Sequence, residues 1–591
     1  MIIPAIMAGM SRSSGAMHVA RIPSRYVSKS GEERRYESVL LRRTFRQDGK
    51  VRHETLANLS QLPGEVITLV DAALKGAILV DAEAVFETER SVPHGDVAAV
   101  HVMASKLGLA KLLGPACAER DTAYALILSR AVRPESKLST AGWWASGDTT
   151  LGADLGVAGS GTDEVYAAMD WLVSRQRQIE AELARRHLSP GGIAMFDLSS
   201  SWVEGSCCGL AAFGYSRDGR RGRRQIEYGL LTDPQGRPVA VEVFPGSTSD
   251  PVSFKTAITR ARDDFGIGRL IMVGDRGMIT QTRIEDLRKL DGMDWITALR
   301  APAIAALAKD DGPLQMSLFD DHSFAEITHP DYPGERLICC RNPFLAADRA
   351  RKREALLAAT ETDLAKIRAS AAAGRLKGAA NIGERVGQVI GKHKVGKHFL
   401  RDITGTSFTY RRDEAKIAAE AALDGIYVIR TSVAENILDP AGTVTAYKNL
   451  KYVERDFRIT KADDLDLRPI YHYLDDRVRS HVLICMLAAY LTWHLRQALA
   501  ELTYTDQDIP QASDPVAPAQ RSAKAKAKDA SKSNGDGLPV RKYQDLLDHL
   551  STLDRQSVTF AGQRIEKLTK PTPVQRRAFE LLGSPIPLTL Q

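Results

Sequence analysis

Three acidic residues, Asp197, Asp275 and Glu454, have the side chains and the settings expected of a site that handles metal ions and phosphate. Asp197 follows the apolar run 193–196, and Asp275 comes shortly after the apolar run 270–273. Both runs predict short buried strands that end near the aspartate, and the carboxyl edge of an α/β sheet is where ligands collect. A carboxylate at such a place needs a partner, and a metal ion is one. A turn or helix cap is the alternative role of each aspartate alone.

Glu454 belongs to a segment whose polar residues share one helical face. The periodicity predicts a helix over residues 446–462. Its polar stripe consists of Tyr447, Lys451, Glu454, Arg458 and Lys461, and the neighbouring apolar stripe consists of Leu450, Val453 and Phe457. The apolar stripe would pack on a sheet, so the glutamate would stand among basic and phenolic groups beside the core. Ordinary helical ion pairs on a solvated face are the alternative interpretation.

Arginine is concentrated in one short segment, 217–224, between two predicted strands. The candidate DNA-binding residues there are Arg220, Arg221, Arg223 and Arg224, and Arg276 beside Asp275 is a further candidate. Guanidinium groups in such a cluster suit phosphates. An exposed, solvated loop is the alternative interpretation of the same residues.

The elements around the carboxylates predict the fold class. Three strand-like segments, a helix near 252–264 and the buried strand 270–273 follow in the order that opens a ribonuclease-H-like sheet. A strand at 426–430 resumes this texture after a charged helix at 346–373 and a Gly/Lys-rich stretch. We therefore predict an α/β protein with a ribonuclease-H-like catalytic domain, an inserted domain before the Glu454 helix and a mainly α N-terminal region.

The length of 591 residues exceeds what one core can hold, so several units are expected. The predicted organisation is a partly disordered leader (1–35), a helical, DNA-end-binding region after a small β element (36–186), the first part of the catalytic domain (187–300), an insertion (301–424), the second part of the catalytic domain (425–505), a disordered basic linker (506–540) and a C-terminal region (541–591).

The composition is that of an ordinary globular protein, with 44% hydrophobic and 26% charged residues. The net charge of +7 (80 basic against 73 acidic residues) is compatible with a nucleic-acid partner. The apolar run Val482–Leu491 is about half the length of a membrane span and predicts a buried helix. Six cysteines without metal-site spacing predict neither a zinc site nor disulfides, and hence a cytoplasmic location.

Three segments containing these carboxylates resemble the catalytic blocks of bacterial DDE transposases of the insertion-sequence-four superfamily. They are Phe196–Ser200, Val273–Met278 and Tyr447–Lys461. The third block of the family reads Tyr-x2-Arg-x3-Glu-x6-Lys, and Tyr447, Glu454 and Lys461 match its spacing. Leu450 stands at the arginine position, as in one branch of the superfamily, and Lys451 is a candidate substitute. The segments Ser24–Val27, Phe244–Asp250, Arg468–His472 and Arg477–His481 extend the resemblance.

The resemblance implies cut-and-paste transposition of an insertion sequence. Asp197, Asp275 and Glu454 would hold two Mg²⁺ ions, for which Mn²⁺ could substitute, with Asp197 bridging both. Water would free a 3′-hydroxyl at the element end, and that hydroxyl would attack target DNA. The implied partners are double-stranded DNA (element ends and target) and a second copy of the chain when two ends are paired. The expected location is the bacterial cytoplasm, at the nucleoid.

Two other functions share the same residues. A ribonuclease-H-like nuclease would cleave DNA without strand transfer, and a noncatalytic DNA-binding relic would retain only binding. Outside the carboxylate site, His472 and His481 are predicted to form structural hydrogen bonds, and Trp202 and Trp295 are predicted to be core residues.

Overall fold

The computed structural model describes residues 15–27, 33–47, 49–77, 86–248, 250–309, 312–510, 512–560 and 563–590. The protein is mixed α/β. The chain forms two compact units: Met1–Ser91 with Gln556–Lys567, and Val92–Arg555 with Leu568–Gln591. The predicted N-terminal region, 36–186, is thus divided near Ser91 and is not a single unit.

The first unit begins with a three-stranded antiparallel sheet. Its strands are β1 (Ala16–Val27), β2 (Glu33–Gln47) and β3 (Lys50–Asn58), followed by helix α1 (Gly64–Leu74) and strand β4 (Phe86–Pro93). Val39, Leu59 and Ile67 form a small core, against which Val19 and Leu41 pack as register partners. Within the predicted leader, 1–35, residues 16–27 form strand β1, whose Val19 packs on this core. Asp48, of the predicted Asp48-Gly49 turn, lies outside the described residues.

The second unit opens with helices, as predicted for 96–186. They are α2 (Gly95–Lys106), α3 (Leu109–Leu113), α4 (Ala118–Val132), α5 (Lys137–Ser146), α6 (Leu151–Asp154), α7 (Thr162–Ser174) and α8 (Gln176–His187). The single helix predicted over 97–113 is interrupted at Gly108, whose φ of 63° is in the left-handed region that glycine adopts at low cost.

An eight-stranded mixed sheet forms the centre of this unit, in the order β10-β11-β14-β9-β8-β5-β6-β7. Its strands are β5 (Ile193–Trp202), β6 (Gln225–Thr232), β7 (Pro238–Pro245), β8 (Leu270–Val273), β9 (Met293–Ala298), β10 (Phe324–Ile327), β11 (Arg336–Arg341) and β14 (Ile426–Thr431), with helices α9 (Asp250–Asp263), α10 (Gln281–Leu287) and α11 (Ala301–Leu307) between them. Strands β5, β6 and β7 are antiparallel, and β8 then pairs parallel to β5. The predicted order of three strands, a helix and a buried strand is therefore present.

The predicted insertion, 301–424, is narrower than expected. Strands β10 and β11 extend the central sheet, because β11 pairs antiparallel with β14. The excursion from the sheet consists of α12 (Pro343–Ala372), α13 (Ala379–His393), the hairpin β12 (Phe399–Ile403) and β13 (Phe408–Arg412), and α14 (Glu414–Ala421). It has a core of its own, which includes Leu364, Ile382 and Phe399.

The segment around Glu454 is not one helix. It consists of α15 (Pro440–Lys448), α16 (Leu450–Arg458) and a π-helical turn (Ile459–Asp463). The next helix, α17 (Asp475–Ala498), contains the apolar run Val482–Leu491, which is buried as predicted. Among the described residues, no helix combines the length and apolar character needed to cross a membrane.

Residues 506–540 are not the predicted disordered linker. They contain helix α18 (Ala523–Ser531), whose Lys528 donates hydrogen bonds to the carbonyl oxygens of Ala500, Thr503 and Thr505 at 2.8–2.9 Å. Each ammonium proton thus has an acceptor, which the basic composition alone did not indicate. The remaining elements are α19 (Tyr543–Ser551), β15 (Asp554–Phe560), β16 (Gln563–Leu568) and α20 (Pro573–Leu581). Strands β16, β15 and β4 form a three-stranded sheet in that order.

Candidate active site

Asp197 lies in the middle of a central strand rather than at its end. Strand β5 continues to Trp202, which corrects the predicted strand end at Phe196. The parallel pairing of Met195 with Val273 places Asp197 beside the position of Asp275 on the adjacent chain segment. Burial, together with the charges of Asp275 and Glu454, raises the pKa of Asp197 to about 7, against the opposing effects of the Leu198 amide and Arg217. These three carboxylates therefore share one electrostatic environment.

Asp275 follows the end of β8 and is exposed. Its Oδ1 accepts a hydrogen bond from the Arg276 amide at 2.7 Å, and the Oδ1 of Asp197 accepts one from the Leu198 amide at 2.8 Å. Each aspartate is thus oriented by the amide of the residue that follows it. Gly274 permits the tight turn, because a Cβ there would lie 3.1 Å from the Ile279 side chain.

Glu454 is exposed on α16, and the opposite side of this helix packs against β5. Val453 and Phe457 are buried, as the apolar stripe predicts, and the Phe457 ring lies 5.7 Å from the Tyr228 ring, centroid to centroid. Tyr447, half-buried on α15, belongs to the same neighbourhood. Burial raises its pKa, and the charges of Asp275, Glu454 and Asp197 raise it further.

The predicted polar stripe is only partly continuous. Lys451 and Arg458 are exposed beside Glu454, but Lys461 lies in the π-helical turn and is buried. The Nζ of Lys461 lies 2.6 Å from Asp218 Oδ1, which also accepts a hydrogen bond from Arg468 at 2.5 Å. Lys461 is thus held by a carboxylate, and its predicted contact with DNA stays a prediction.

Asp218 and Arg468 are the members of this site that the sequence analysis did not assign. Asp218 is the single acid within the arginine-rich segment. Arg468 begins the segment Arg468–His472, which resembles the transposase family but indicated no role for this arginine. Asp218 joins the loop after β5 to the end of the Glu454 region, and its side chain is only 2% exposed. An isolated acid among arginines was the signal that could have found it.

The arginine-rich loop has an anchored part and an exposed part. Arg217 pairs with Glu227 at 3.0 Å, and its amide donates to Ser200 Oγ at 2.9 Å. The four predicted DNA contacts, Arg220, Arg221, Arg223 and Arg224, are exposed. The first of them lies over Trp202, 5.1 Å from the ring centroid, and the last lies over the exposed Phe213 at 5.8 Å. This loop therefore presents guanidinium groups and an aromatic ring to solvent.

The two tryptophans differ in their burial. Trp295 is buried in the core, as predicted, whereas Trp202 is half-buried and lies between the guanidinium groups of Arg220 and Arg468. His481 is buried and hydrogen-bonded to the Leu467 carbonyl at 3.0 Å, as the structural interpretation predicted.

The donor set at Asp197, Asp275 and Glu454 suits Mg²⁺, which prefers carboxylate oxygen. In the described ranges, no three His, Cys, Asp or Glu side chains converge closely enough to hold one ion together. Mg²⁺ needs only one or two protein carboxylates, because water and substrate phosphate complete its shell. Burial, and after it the charges of Asp275 and Glu454, raise the pKa of Asp197, and a bound cation would stabilise the charged carboxylate against both. The residues present therefore fit divalent cations.

Comparison with known proteins gives one family match. Residues 25–83 match the family model described as IS1634 family transposase, N-terminal domain. This match supports an insertion-sequence transposase and does not test the predicted superfamily. No curated protein matches the chain.

A solved structure, that of a piggyBac transposase synaptic complex with hairpin DNA, is similar over 77% of this chain and 76% of that chain. The identity is 8% and the TM-score is 0.32. A TM-score at this level is too low to support an inference about fold or function.

Proposed function

We propose that this chain is a DDE-type transposase of an insertion sequence, with Asp197, Asp275 and Glu454 as its catalytic carboxylates. The observation that carries the proposal is the placement of the three on neighbouring elements, near enough for the charges of Asp275 and Glu454 to raise the pKa of Asp197. Parallel pairing of β5 with β8 brings the two aspartates side by side, and α16 packs its apolar stripe on β5 with Glu454 on the same helix. The order of three antiparallel strands, a helix and a parallel buried strand supports a ribonuclease-H-like domain, and the N-terminal family match supports an insertion-sequence transposase.

Two Mg²⁺ ions held by Asp197, Asp275 and Glu454 would supply Lewis acidity and an activated oxygen nucleophile. Mn²⁺ has the same preference for oxygen ligands and is a plausible substitute. The carboxylates themselves fix where the scissile phosphate must lie, at the edge of β5 and β8.

The reaction has two phosphoryl-transfer steps at one place. In the first, water attacks the phosphodiester at the element end, and a 3′-hydroxyl leaves. In the second, that 3′-hydroxyl attacks a phosphodiester of target DNA and displaces another 3′-oxygen. Because both steps develop the same charge on phosphorus, one site serves both. Pairing of two element ends implies a homodimer on DNA, acting at the bacterial nucleoid.

The backbone of bound DNA would follow the basic side chains on both sides of the carboxylates. Three exposed basic residues lie on the segments that contain Asp275 and Glu454, namely Arg276, Lys451 and Arg458. The exposed arginines of the loop 217–224 extend this positive surface beyond β5. Release of counterions from the phosphates would make binding strongly dependent on salt.

The decisive experiment is the substitution of single catalytic carboxylates. Asp275→Asn and Glu454→Gln are expected to lower the rate of end cleavage about a thousandfold, equivalent to about 4 kcal/mol, because each change removes a charged ligand. The substrate is DNA carrying an end of the element and its flank, with Mg²⁺. Binding of the same DNA is expected to remain within about threefold of wild type.

The matched control is Asp463→Asn, which removes an exposed carboxylate from the same helical region. It is expected to cleave at the wild-type rate. Wild-type cleavage by either Asp275→Asn or Glu454→Gln would refute the assignment.

A joining assay separates transposition from the alternatives. Precut element ends, target DNA and Mg²⁺ are incubated with the wild-type chain, and joined product is expected. Cleavage without joining would identify a nuclease, and binding without cleavage would identify a DNA-binding relic.

A further inference from the structure

A cavity of about 390 Å³ lies among the helices of the second unit. None of the three catalytic carboxylates lines it. Its walls come from the segment 130–138, between α4 and α5, from the segment 466–472 and from His481 on α17. The cavity residues 468–472 and His481 belong to two segments that extend the family resemblance, and neither segment acts in the proposed reaction. The volume is that of sites which take small ligands.

Two buried cationic side chains lack a carboxylate partner here. Arg130, 5% exposed, donates to the backbone carbonyls of Leu465 at 3.3 Å and Glu135 at 2.7 Å. Lys137, 6% exposed, has its Nζ 3.2 Å from His481 Nδ1. Within the described part of the chain, neither forms an ion pair. Burial of positive charge without a counter-ion is costly, so this arrangement favours an anion.

The acids at the cavity do not cancel this charge. Glu135 is hydrogen-bonded by Arg133 at 2.8 Å and by Ser139, so its carboxylate is already engaged. Asp466 is exposed, and its backbone has a φ of 39°, a left-handed conformation that is uncommon outside glycine. Strained backbone of this kind is concentrated at ligand sites.

The hydrogen-bonding capacity of the cavity is also incompletely used. His481 Nε2 bonds the Leu467 carbonyl, so its Nδ1 carries the lone pair that accepts from Lys137. Once protonated, Lys137 has three protons to donate, and the described residues offer its amine one hydrogen-bond acceptor, His481 Nδ1. His472 also lines the cavity, and its ring centroid lies 5.3 Å from that of His481 and 6.1 Å from that of Tyr166.

We propose that this cavity binds a phosphate monoester, with Lys137 and His472 donating to the phosphate oxygens and Arg130 supplying charge. Tyr166 and the exposed Tyr471 flank the cavity and suit a sugar or base attached to the phosphate. The ligand is either a free nucleotide or the terminal nucleotide of a DNA strand, because both present the same group. The cavity contains none of the three catalytic carboxylates, although Arg468, which donates to Asp218, also lines it. Binding of a phosphate monoester here does not depend on the proposed transposition.

Binding is expected to take up protons. Burial lowers the pKa of Lys137 well below its usual range, and Arg130 lowers it further, whereas the Cys485 thiol opposes this. Burial also lowers the pKa of His472 to about 3 and that of His481 well below its usual range, so both are neutral near pH 7. Phosphate favours the charged forms of Lys137 and His472. Its affinity should therefore fall as the pH rises.

The test is calorimetric titration of the full chain with inorganic phosphate and with a nucleoside monophosphate, in two buffers of different ionisation heat at pH 7.5. Wild type is expected to bind both and to take up about one proton. Lys137→Met keeps the volume and removes the amine, and His472→Gln removes the ring. Each is expected to weaken binding at least tenfold, equivalent to about 1.4 kcal/mol, and Lys137→Met is expected to abolish proton uptake.

The control is Lys111→Met, which removes an exposed lysine of α3 and is expected to bind as wild type does. Thermal melts establish that the variants fold. A short DNA with a terminal phosphate, compared with the same DNA ending in a hydroxyl, then separates the sources. If wild type prefers the phosphorylated DNA end and Lys137→Met does not, the ligand is a DNA terminus. If wild type shows no such preference, the ligand is a free nucleotide. Absence of phosphate binding by wild type, or wild-type affinity in both cavity variants, would overturn the proposal.

Discussion

Two acidic residues near one strand, Asp197 on β5 and Asp218 in the loop after it, are embedded in opposite ways. Asp218 receives Lys461 and Arg468 on a single carboxylate oxygen, at 2.6 and 2.5 Å. Asp197 has two other carboxylates and a single arginine in its environment, and its pKa is raised to about 7. The protein supplies Asp218 with two cationic partners, whereas it buries Asp197 near two further carboxylates. The difference indicates a structural role for the first and a cation-binding role for the second.

The two roles are connected through the Glu454 region. Lys461 belongs to the π-helical turn that directly follows α16, and Asp218 fastens this turn to the loop after β5. The apolar stripe of α16 fixes the other side of the helix against the sheet. Glu454 is thus positioned from two directions, while the carboxylates it joins remain without a strong cationic partner. Substitutions that remove one acid or the other should separate stability from activity.

Asp218→Asn is expected to cause the largest loss of stability among these changes. It leaves the buried Lys461 and the partly buried Arg468 without their carboxylate, and such a loss costs about 3 kcal/mol in the free energy of unfolding. Asp197→Asn is expected to lower the free energy of unfolding by less than about 1 kcal/mol, or to raise it, because the substitution removes a buried charge near two other carboxylates. Urea unfolding at pH 8 without divalent ions measures both.

The double variant Asp218→Asn with Lys461→Met sharpens this result. Removal of both partners is expected to restore part of the lost stability, with a coupling of about 1–3 kcal/mol. Equal destabilisation by Asp197→Asn and Asp218→Asn would erase the distinction between the two acids.

A smaller effect is expected from divalent ions. Mg²⁺ at ten times its Kd should stabilise the wild-type chain by about 1.4 kcal/mol, because it binds the folded carboxylate site. The melting temperature is measured with Mg²⁺ and with the same ionic strength of Na⁺. Asp197→Asn should lose the Mg²⁺-specific increase, and Asp463→Asn should retain it. A Mg²⁺ response that is the same in all three proteins would show that the ion binds elsewhere.

The sequence was sufficient where local pattern decides the structure. The apolar runs before Asp197 and Asp275, the stripe of Val453 and Phe457 and the buried run in α17 all lie where periodicity placed them. The sequence did not predict the elements whose structure depends on contacts with distant parts of the chain. The helix containing Lys528 forms because carbonyls at 500–505 accept its ammonium protons, and β10 and β11 join the sheet through pairing with β14.

The same limit applies to the site. A helical wheel places Lys461 on the face of Glu454, yet the π-helical turn and the distant Asp218 turn it into a buried ion pair. Patterns within single segments predicted the strands before Asp197 and Asp275 and the helical face of Glu454. They did not contain the partner that a loop some 240 residues away provides.

The smallest expected effect concerns the exposed side of the arginine-rich loop. Arg221 is exposed, and among the described residues its side chain has no ion pair, so its charge is available to a phosphate. Arg221→Ala is expected to weaken binding of any DNA sequence by a few-fold and to reduce the slope of log K against log salt by about one. Titration at several salt concentrations measures this, with the exposed Arg185→Ala, whose side chain pairs with Glu182, as the control. An unchanged slope in Arg221→Ala would place the DNA away from this loop. The difference between Asp197 and Asp218 would remain in that case, because Asp218 anchors the loop whether or not the loop binds DNA.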